Sequence, residues 1–415
     1  MKNLPHNSAT PILKSDSLVF PSRVNTLGDD EQLPEILFIT SYPPRECGIA
    51  TYSQDLMKAL NNQYVSSFSL TVCALENEHE KHLYADEEVK YTLNTSDPAS
   101  FRAIAETINN DDNIKVVVIQ HEFGLFQDND SFNAFLLEIE KPLVVVFHTV
   151  LPRPDVEFQK KVQHILDRAD SIIVMTKNSE AILKEDYTVA SEKISVIPHG
   201  THLVPHTDKN ALKAKYGVKG RKVLSTFGLL SSGKSIETTL DALPNIINKS
   251  PDVLFLIIGK THPGVVLHEG ESYRDSLQQK IKELKLENHV QFVNKYLPLN
   301  ELLDYLQLTD IYLFTSKDPN QAVSGTFSYA MSCGCAIVST PIPHAKEMLA
   351  DGSGLTFDFG NSKQLAEAVN LLIYDIGLRK NMILNGLHKI MHTAWENSAV
   401  AHAVLFQKVS DGKIE

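Results

Sequence analysis

The sequence predicts an α/β protein made of two Rossmann-like domains, each a doubly wound parallel sheet, facing one another across a central cleft. Two observations carry this expectation. Short runs of apolar, largely β-branched residues alternate with longer stretches in which apolar residues recur at three- and four-residue spacing. Runs that are apolar throughout suit parallel strands covered on both faces, and the longer spacing suits amphipathic helices. The alternation also breaks once, at PHGTHLVPHTDKN (198–210), and then restarts.

In the first half, ILFIT (36–40), VVVIQ (116–120), LVVVF (143–147), SIIVM (171–175) and ISVI (194–197) read as strands, with helices at 50–61, 98–109, 155–168 and 178–185. In the second, KVLSTF (222–227), VLFLII (253–258), VQFV (290–293), IYLF (311–314) and AIVS (336–339) read as strands. A small-residue helix is expected at 327–332 and a helical end at 365–408, whose single tryptophan, Trp395, is expected to pack rather than bind. Repeated strand and helix with right-handed crossovers gives a doubly wound sheet. The expected division is an arm at 1–33, domains at 34–203 and 204–390, and a final helical segment at 391–415 returning toward the first domain.

The chain has 415 residues, 43% apolar and 22% charged, the balance of a soluble globular protein. A net charge of −12 argues against general nucleic-acid or anionic-membrane binding. No apolar run approaches the roughly 20 residues a membrane helix needs. Residues 1–33, with Pro5, Ser8, Pro11, Pro21 and Ser22, lack the apolar core of a signal peptide, so a cytoplasmic location is expected. On that basis Cys47, Cys73, Cys333 and Cys335 are expected as free thiols.

The chemistry is expected in loops at the carboxyl ends of strands, where open α/β sheets bind ligands. SYPPRECGIATYS (41–53) places Gly48 at the start of a helix, with Arg45 able to meet a phosphate. His121 and Glu122 follow one strand and His148 another, the place where side chains enter such a cleft. The DND at Asp128–Asp130 reads as a solvated loop rather than a metal site. In the second half, Gly228 to Lys234 (GLLSSGK) combines backbone donors with a point charge, suited to a diphosphate without P-loop spacing. His262 is a further candidate. In QAVSGTFSYAMSCGCAIVST (321–340), Ser324, Gly325 and Thr326 stand where a helix begins, so orphan N–H groups can face an anion.

Together these segments resemble the nucleotide-sugar-dependent retaining glycosyltransferases of the GT-B fold, family four. The likeness covers roughly residues 35–400 and rests on YPPRECGIATYS, on His148, on IPHG (197–200, with His199), on FGLLSSGKSIE (227–237), and on SYAMSCGCAIVSTP followed by KEMLADGSGLTF. It implies that the first domain takes the acceptor and the second the donor. Gly48 would match the glycine where acceptor and donor phosphate meet, and His148 a histidine touching the transferred sugar. Lys234 would match the lysine of an Arg, four residues, Lys pair, with Leu229 at the arginine position. Gln321 and Tyr329 stand where the family has two glutamates, one for the sugar and one for the ribose. Gln321 can still bond a sugar, whereas Tyr329 cannot offer a ribose a bidentate carboxylate.

The expected activity is transfer of a hexose, mannose as the first choice, from a nucleoside diphosphate sugar (GDP-mannose or UDP-hexose) to a carbohydrate or glycoconjugate, with retention. No cofactor and no metal are expected. Catalytic roles fall to His148, Lys234 and Gln321, and substrate contacts to Arg45, Gly48, His121, Glu122, His199, Gly228, His262, Ser324, Gly325, Thr326 and Tyr329. No nucleic-acid partner is expected; peripheral contact with a membrane surface and the oligomeric state stay open. A phosphorylase of the same fold and a non-catalytic sugar- or nucleotide-binding protein are the alternatives.

Overall fold

The computed structural model describes residues 33–85 and 87–412, so the arm expected at 1–33 lies almost wholly outside the described residues. The first sheet has seven strands: β1 (Glu35–Thr40), β2 (Ser69–Glu76), β3 (Val89–Asn94), β4 (Ile114–His121), β5 (Leu143–Phe147), β6 (Ser171–Val174) and β7 (Ile194–Val196). The second has six: β8 (Lys222–Phe227), β9 (Val253–Ile258), β10 (Val290–Val293), β11 (Ile311–Phe314), β12 (Ala336–Ser339) and β13 (Leu355–Thr356). All neighbouring strands run parallel, in the orders β3-β2-β1-β4-β5-β6-β7 and β10-β9-β8-β11-β12-β13. In each sheet the order reverses beside one strand, β1 against β4 and β8 against β11. Those are the switch points where a crevice opens outside the carboxyl ends of the strands.

Strands β1, β4, β5 and β9 are buried along nearly their whole length because helices cover both faces. β2, β3 and β13 were not expected from the sequence. β3 is an edge strand with one buried residue among six, Leu93, and carries little apolar signal. The DND expected as a solvated loop begins the helix Asn129–Glu138: Asp128 caps it, accepting from the Ser131 amide (3.1 Å) and hydroxyl (2.6 Å).

The final helix, Trp395–Ser410, completes the core of the first domain. Trp395, Ala399, Phe406 and Val409 share one apolar cluster with Phe38 of β1 and with Leu56, Met57 and Leu60 of the helix Gly48–Tyr64. Phe406 meets Phe38 edge-on with ring centroids 6.0 Å apart. Chain therefore passes between the domains twice. The two passages are tied together by Thr201 N–H to Thr393 O (2.8 Å) and Trp395 N–H to Thr201 O (2.9 Å).

Candidate active site

Both switch points open on one cleft, and each side is built by loops after the central strands. On the second domain's side, β8 ends at Phe227 and Gly228 follows with φ +132°, a conformation that suits glycine. A Cβ at Gly228 would lie 3.3 Å from the Thr326 methyl and 3.4 Å from Lys234 Nζ, so the bare backbone lets these two groups converge. The Lys234 carbonyl accepts from Thr315 Oγ1 at 2.6 Å, which pins the loop to the end of β11. Its ammonium lies 5.8 Å from the Phe314 ring centroid, and no carboxylate pairs with it among the described residues. Burial without a counter-ion pulls its pKa below the ordinary lysine value.

The helix Gly325–Ser332 points its N-terminus into the same space. Ser324 Oγ accepts from the Phe327 amide (3.4 Å) and lies 3.0 Å from Thr326 Oγ1, while the Ser324 amide donates to His344 Nδ1 (3.1 Å). A Cβ on Gly325 would sit 2.8 Å from His199 Nε2, so this glycine is demanded by close approach. His199 Nδ1 donates to the Gly200 carbonyl (2.7 Å), which leaves the Nε2 lone pair toward the helix N-terminus. Burial holds His199 at about 4 and His344 at about 3, so both are neutral.

On the first domain's side, Gly48 is the first residue of its helix and has open space where a Cβ would be. Arg45 pairs with Glu80 at 2.5 Å and faces His262 across the cleft; His262 is held below its usual pKa by burial first and by the Arg45 and Lys234 charges among other causes. His262 also caps the helix Pro263–Glu269, accepting from the Gly264 amide at 3.0 Å. The walls touch through an ion pair of Glu46 with Lys260 and a bond between Thr51 Oγ1 and Tyr296 OH (2.9 Å). His148 lies after β5 with Nε2 2.8 Å from Gln120 Oε1, and Tyr52 meets its ring edge-on at 5.0 Å. Burial, with His199 and His121 nearby, pushes its pKa down to about 3.

Two expected contacts, His121 and Tyr329, are corrected by this geometry. His121, 2% exposed, points to the opposite face from Gln120, because side chains alternate along a strand. There it lies among Phe123, Phe126, Phe132 and Phe147, with centroids 4.8–5.7 Å away. It is a core residue. Tyr329, 5% exposed, donates at 2.6 Å to Asp55 Oδ2 of the first domain instead of facing a nucleotide, and His202 Nε2 lies 3.1 Å from the same oxygen. Gln321 turns back on its own loop, Nε2 donating to the Val323 carbonyl at 3.3 Å. Glu122 stays beside His148's neighbour, accepting from Thr149 Oγ1 (2.6 Å) and the Phe123 amide (3.0 Å), with its pKa raised by burial.

Sequence reasoning missed Asp55, Tyr52, Gln120, Thr51, Tyr296 and Lys260. Only Asp55 had left a local trace. It is an acid on the buried stripe of its helix, between Tyr52 and Leu56, where a paired carboxylate is the economical explanation. Among the described residues no group of three or more His, Cys, Asp or Glu is arranged to hold a metal ion, and no helix is long and apolar enough to cross a membrane.

Two parallel-sheet domains whose switch points share one cleft are the GT-B architecture. The family described as Glycosyltransferase Family 4 matches residues 47–204, and the one described as Glycosyl transferases group 1 matches residues 208–389. The chain belongs to the GT-B glycosyltransferases of family four. It is 26% identical over 254 residues to a D-inositol 3-phosphate glycosyltransferase of Corynebacterium urealyticum, covering 60% of this chain and 58% of that protein. It is 24% identical over 191 residues, 44% of this chain and 47% of the relative, to a GDP-mannose-dependent α-(1-6)-phosphatidylinositol monomannoside mannosyltransferase of Mycolicibacterium smegmatis. Among solved structures it resembles Anabaena HepE in complex with UDP and glucose (TM-score 0.71, 18% identity, 91% and 99% of the two chains). It also resembles sucrose-phosphate synthase of Thermosynechococcus elongatus (TM-score 0.74, 15% identity, 92% and 100%).

Proposed function

We propose that this protein transfers a hexose from a nucleoside diphosphate sugar to a carbohydrate or glycoconjugate acceptor, with retention at the anomeric carbon. The observation that carries the reading is Lys234: a part-buried ammonium with no carboxylate partner among the described residues, beside Gly228 and opposite the N-terminus of Gly325–Ser332. A diphosphate leaving group supplies the missing charge, and the fixed cation and helix N-terminus stabilise that charge as it develops. No divalent ion is invoked. The donor lies between this loop and His148, and the acceptor enters past Gly48. Mannose is the first choice of sugar, supported by the distant mannosyltransferase relative.

Lys234→Ala tests the reading. A hydrogen bond to a charged group is worth roughly 1.5–3 kcal/mol, so kcat/KM is expected to fall about 10- to 100-fold while folding is retained. Lys219→Ala, at an exposed position, is the near-neutral control. Wild-type kinetics in Lys234→Ala with the true donor would remove the diphosphate from this loop.

A second reading has its own observation. Because Tyr329 is engaged by Asp55, no carboxylate faces a ribose from that position, and a phosphorylase holding inorganic phosphate beside Lys234 needs none. Titration calorimetry with GDP, UDP, ADP and phosphate separates the two.

A further inference from the structure

We propose that Gln120 is the positioning residue for His148: it holds the imidazole as the Nε2–H tautomer, so that Nδ1 is the hydrogen-bond acceptor presented to a hydroxyl of the bound hexose. The identity of that hydroxyl rests on the transferase reading above; the tautomer does not.

The geometry begins with the sheet. Gln120 pairs in register with Val146 and His121 with Phe147, so His148 stands two residues beyond Gln120's partner, on the same face of the sheet. The His148 amide donates to the His121 carbonyl at 3.1 Å, which continues the ladder past the strand end and fixes the backbone. On the face away from His121, Gln120 Oε1 lies 2.8 Å from His148 Nε2. A carboxamide oxygen only accepts, so the ring nitrogen facing it carries the proton. A flip of the ring would bring Cε1 rather than Nε2 to Gln120 and lose this bond, and Tyr52 packs edge-on against the ring at 86°. Burial keeps the ring neutral, and the titratable groups around it are His199 from the interdomain passage, His121 from β4 and Tyr52 from the first helix. A neutral ring with its one proton committed to Gln120 has a lone pair on Nδ1, and a sugar hydroxyl is the complementary donor.

The state of Gln120 separates positioning from support. It is fully buried, yet its Nε2 has no partner among the described residues. An unpartnered buried amide weakens a fold that a hydrocarbon side chain would serve better. A residue kept only for packing would not carry that cost. An amide also differs from a carboxylate here: a glutamate at 120 would favour the imidazolium and turn Nδ1 from acceptor to donor.

The experiment uses full-length protein with ¹⁵N-labelled histidine, its His148 ring signals identified by their loss in His148→Asn, and two-bond proton–nitrogen correlations that read the tautomer without any donor. Wild type is expected to show the Nε2–H form across pH 6–8. In Gln120→Leu the His148 ring should show mixed tautomers and kcat/KM should fall about tenfold, with Tm unchanged or higher. In Gln120→Glu the ring should titrate inside this window, with activity lost below the new pKa and recovered above it. An Nδ1–H ring in wild type, or Gln120→Leu with unchanged tautomer and kinetics, overturns the proposal. An Nε2–H ring in a protein that moves no sugar supports the positioning and overturns the transferase reading instead.

Discussion

His121 shows how one residue type serves two purposes a single position apart from Gln120. Its ring stacks with Phe126 and Phe132, its Nδ1 has no partner among the described residues, and burial holds its pKa at about 3. A folded pKa below the unfolded value near 6.5 means stability that is intact above pH 6.5 and is lost as pH falls toward 3. Each pH unit in that window costs up to about 1.4 kcal/mol for such a group. His121→Leu, close in volume, removes one of these groups. Relative to wild type it should gain about 2 kcal/mol between pH 7.5 and 5, read by urea unfolding at both values, with kcat/KM within about twofold. A large loss of activity would return His121 to the cleft.

At the scale of elements, the docking of the last helix depends on a glycine outside it. A Cβ at Gly200 would stand 2.0–2.5 Å from the Trp395 ring, and Trp395 in turn packs on Tyr52 with centroids 5.2 Å apart. Gly200→Ala must push the tryptophan off its seat, and overpacking of this kind costs typically about 1–3 kcal/mol. Lower urea midpoints with an unchanged m-value are expected, together with increased Trp395 fluorescence quenching by iodide. The substitution also disturbs His199, whose Nδ1 donates to the Gly200 carbonyl, so kcat should fall as well. The same neighbourhood explains why IPHG forms one unit: the histidine lies against Gly325 at the start of its helix, and the glycine makes room for the helix that closes the first domain.

For the whole molecule, the question is what holds the two domains at their present separation. Tyr329 and His202 both reach Asp55, which is 7% exposed, and Thr51 with Tyr296 and Glu46 with Lys260 bridge the cleft further out. Closure around a ligand is a common motion of two-domain proteins, and the paired passages at Thr201 and Thr393–Trp395 are the natural hinge. We expect Tyr329→Phe to weaken this latch. Small-angle scattering should then give a larger radius of gyration for the free variant than for wild type, with saturating nucleoside diphosphate narrowing the difference. Equal radii in all four samples would count against both the latch and closure.

The alternation of apolar runs and helical spacing was enough to place ten of the thirteen strands among the described residues and the break between the two sheets, because a strand buried on both faces announces itself in local composition. The edge strand β3, half polar and mostly uncovered, could not. The loops that converge at Gly228 were legible for a similar reason: Gly228, Lys234 and Ser324 to Thr326 are short-range patterns at strand and helix ends, where backbone conformation and orphan amides follow from neighbours in sequence. Side-chain destinations across the cleft were not. Tyr329 and Asp55 are 274 residues apart, and only the packing of one domain against the other turns the position expected at a ribose into a partner for a buried carboxylate. Gln120 and His121 are adjacent and equally polar to a reader of the chain. The pleat sends one to His148 and the other among phenylalanines, so their roles follow from which helices cover which face of the sheet.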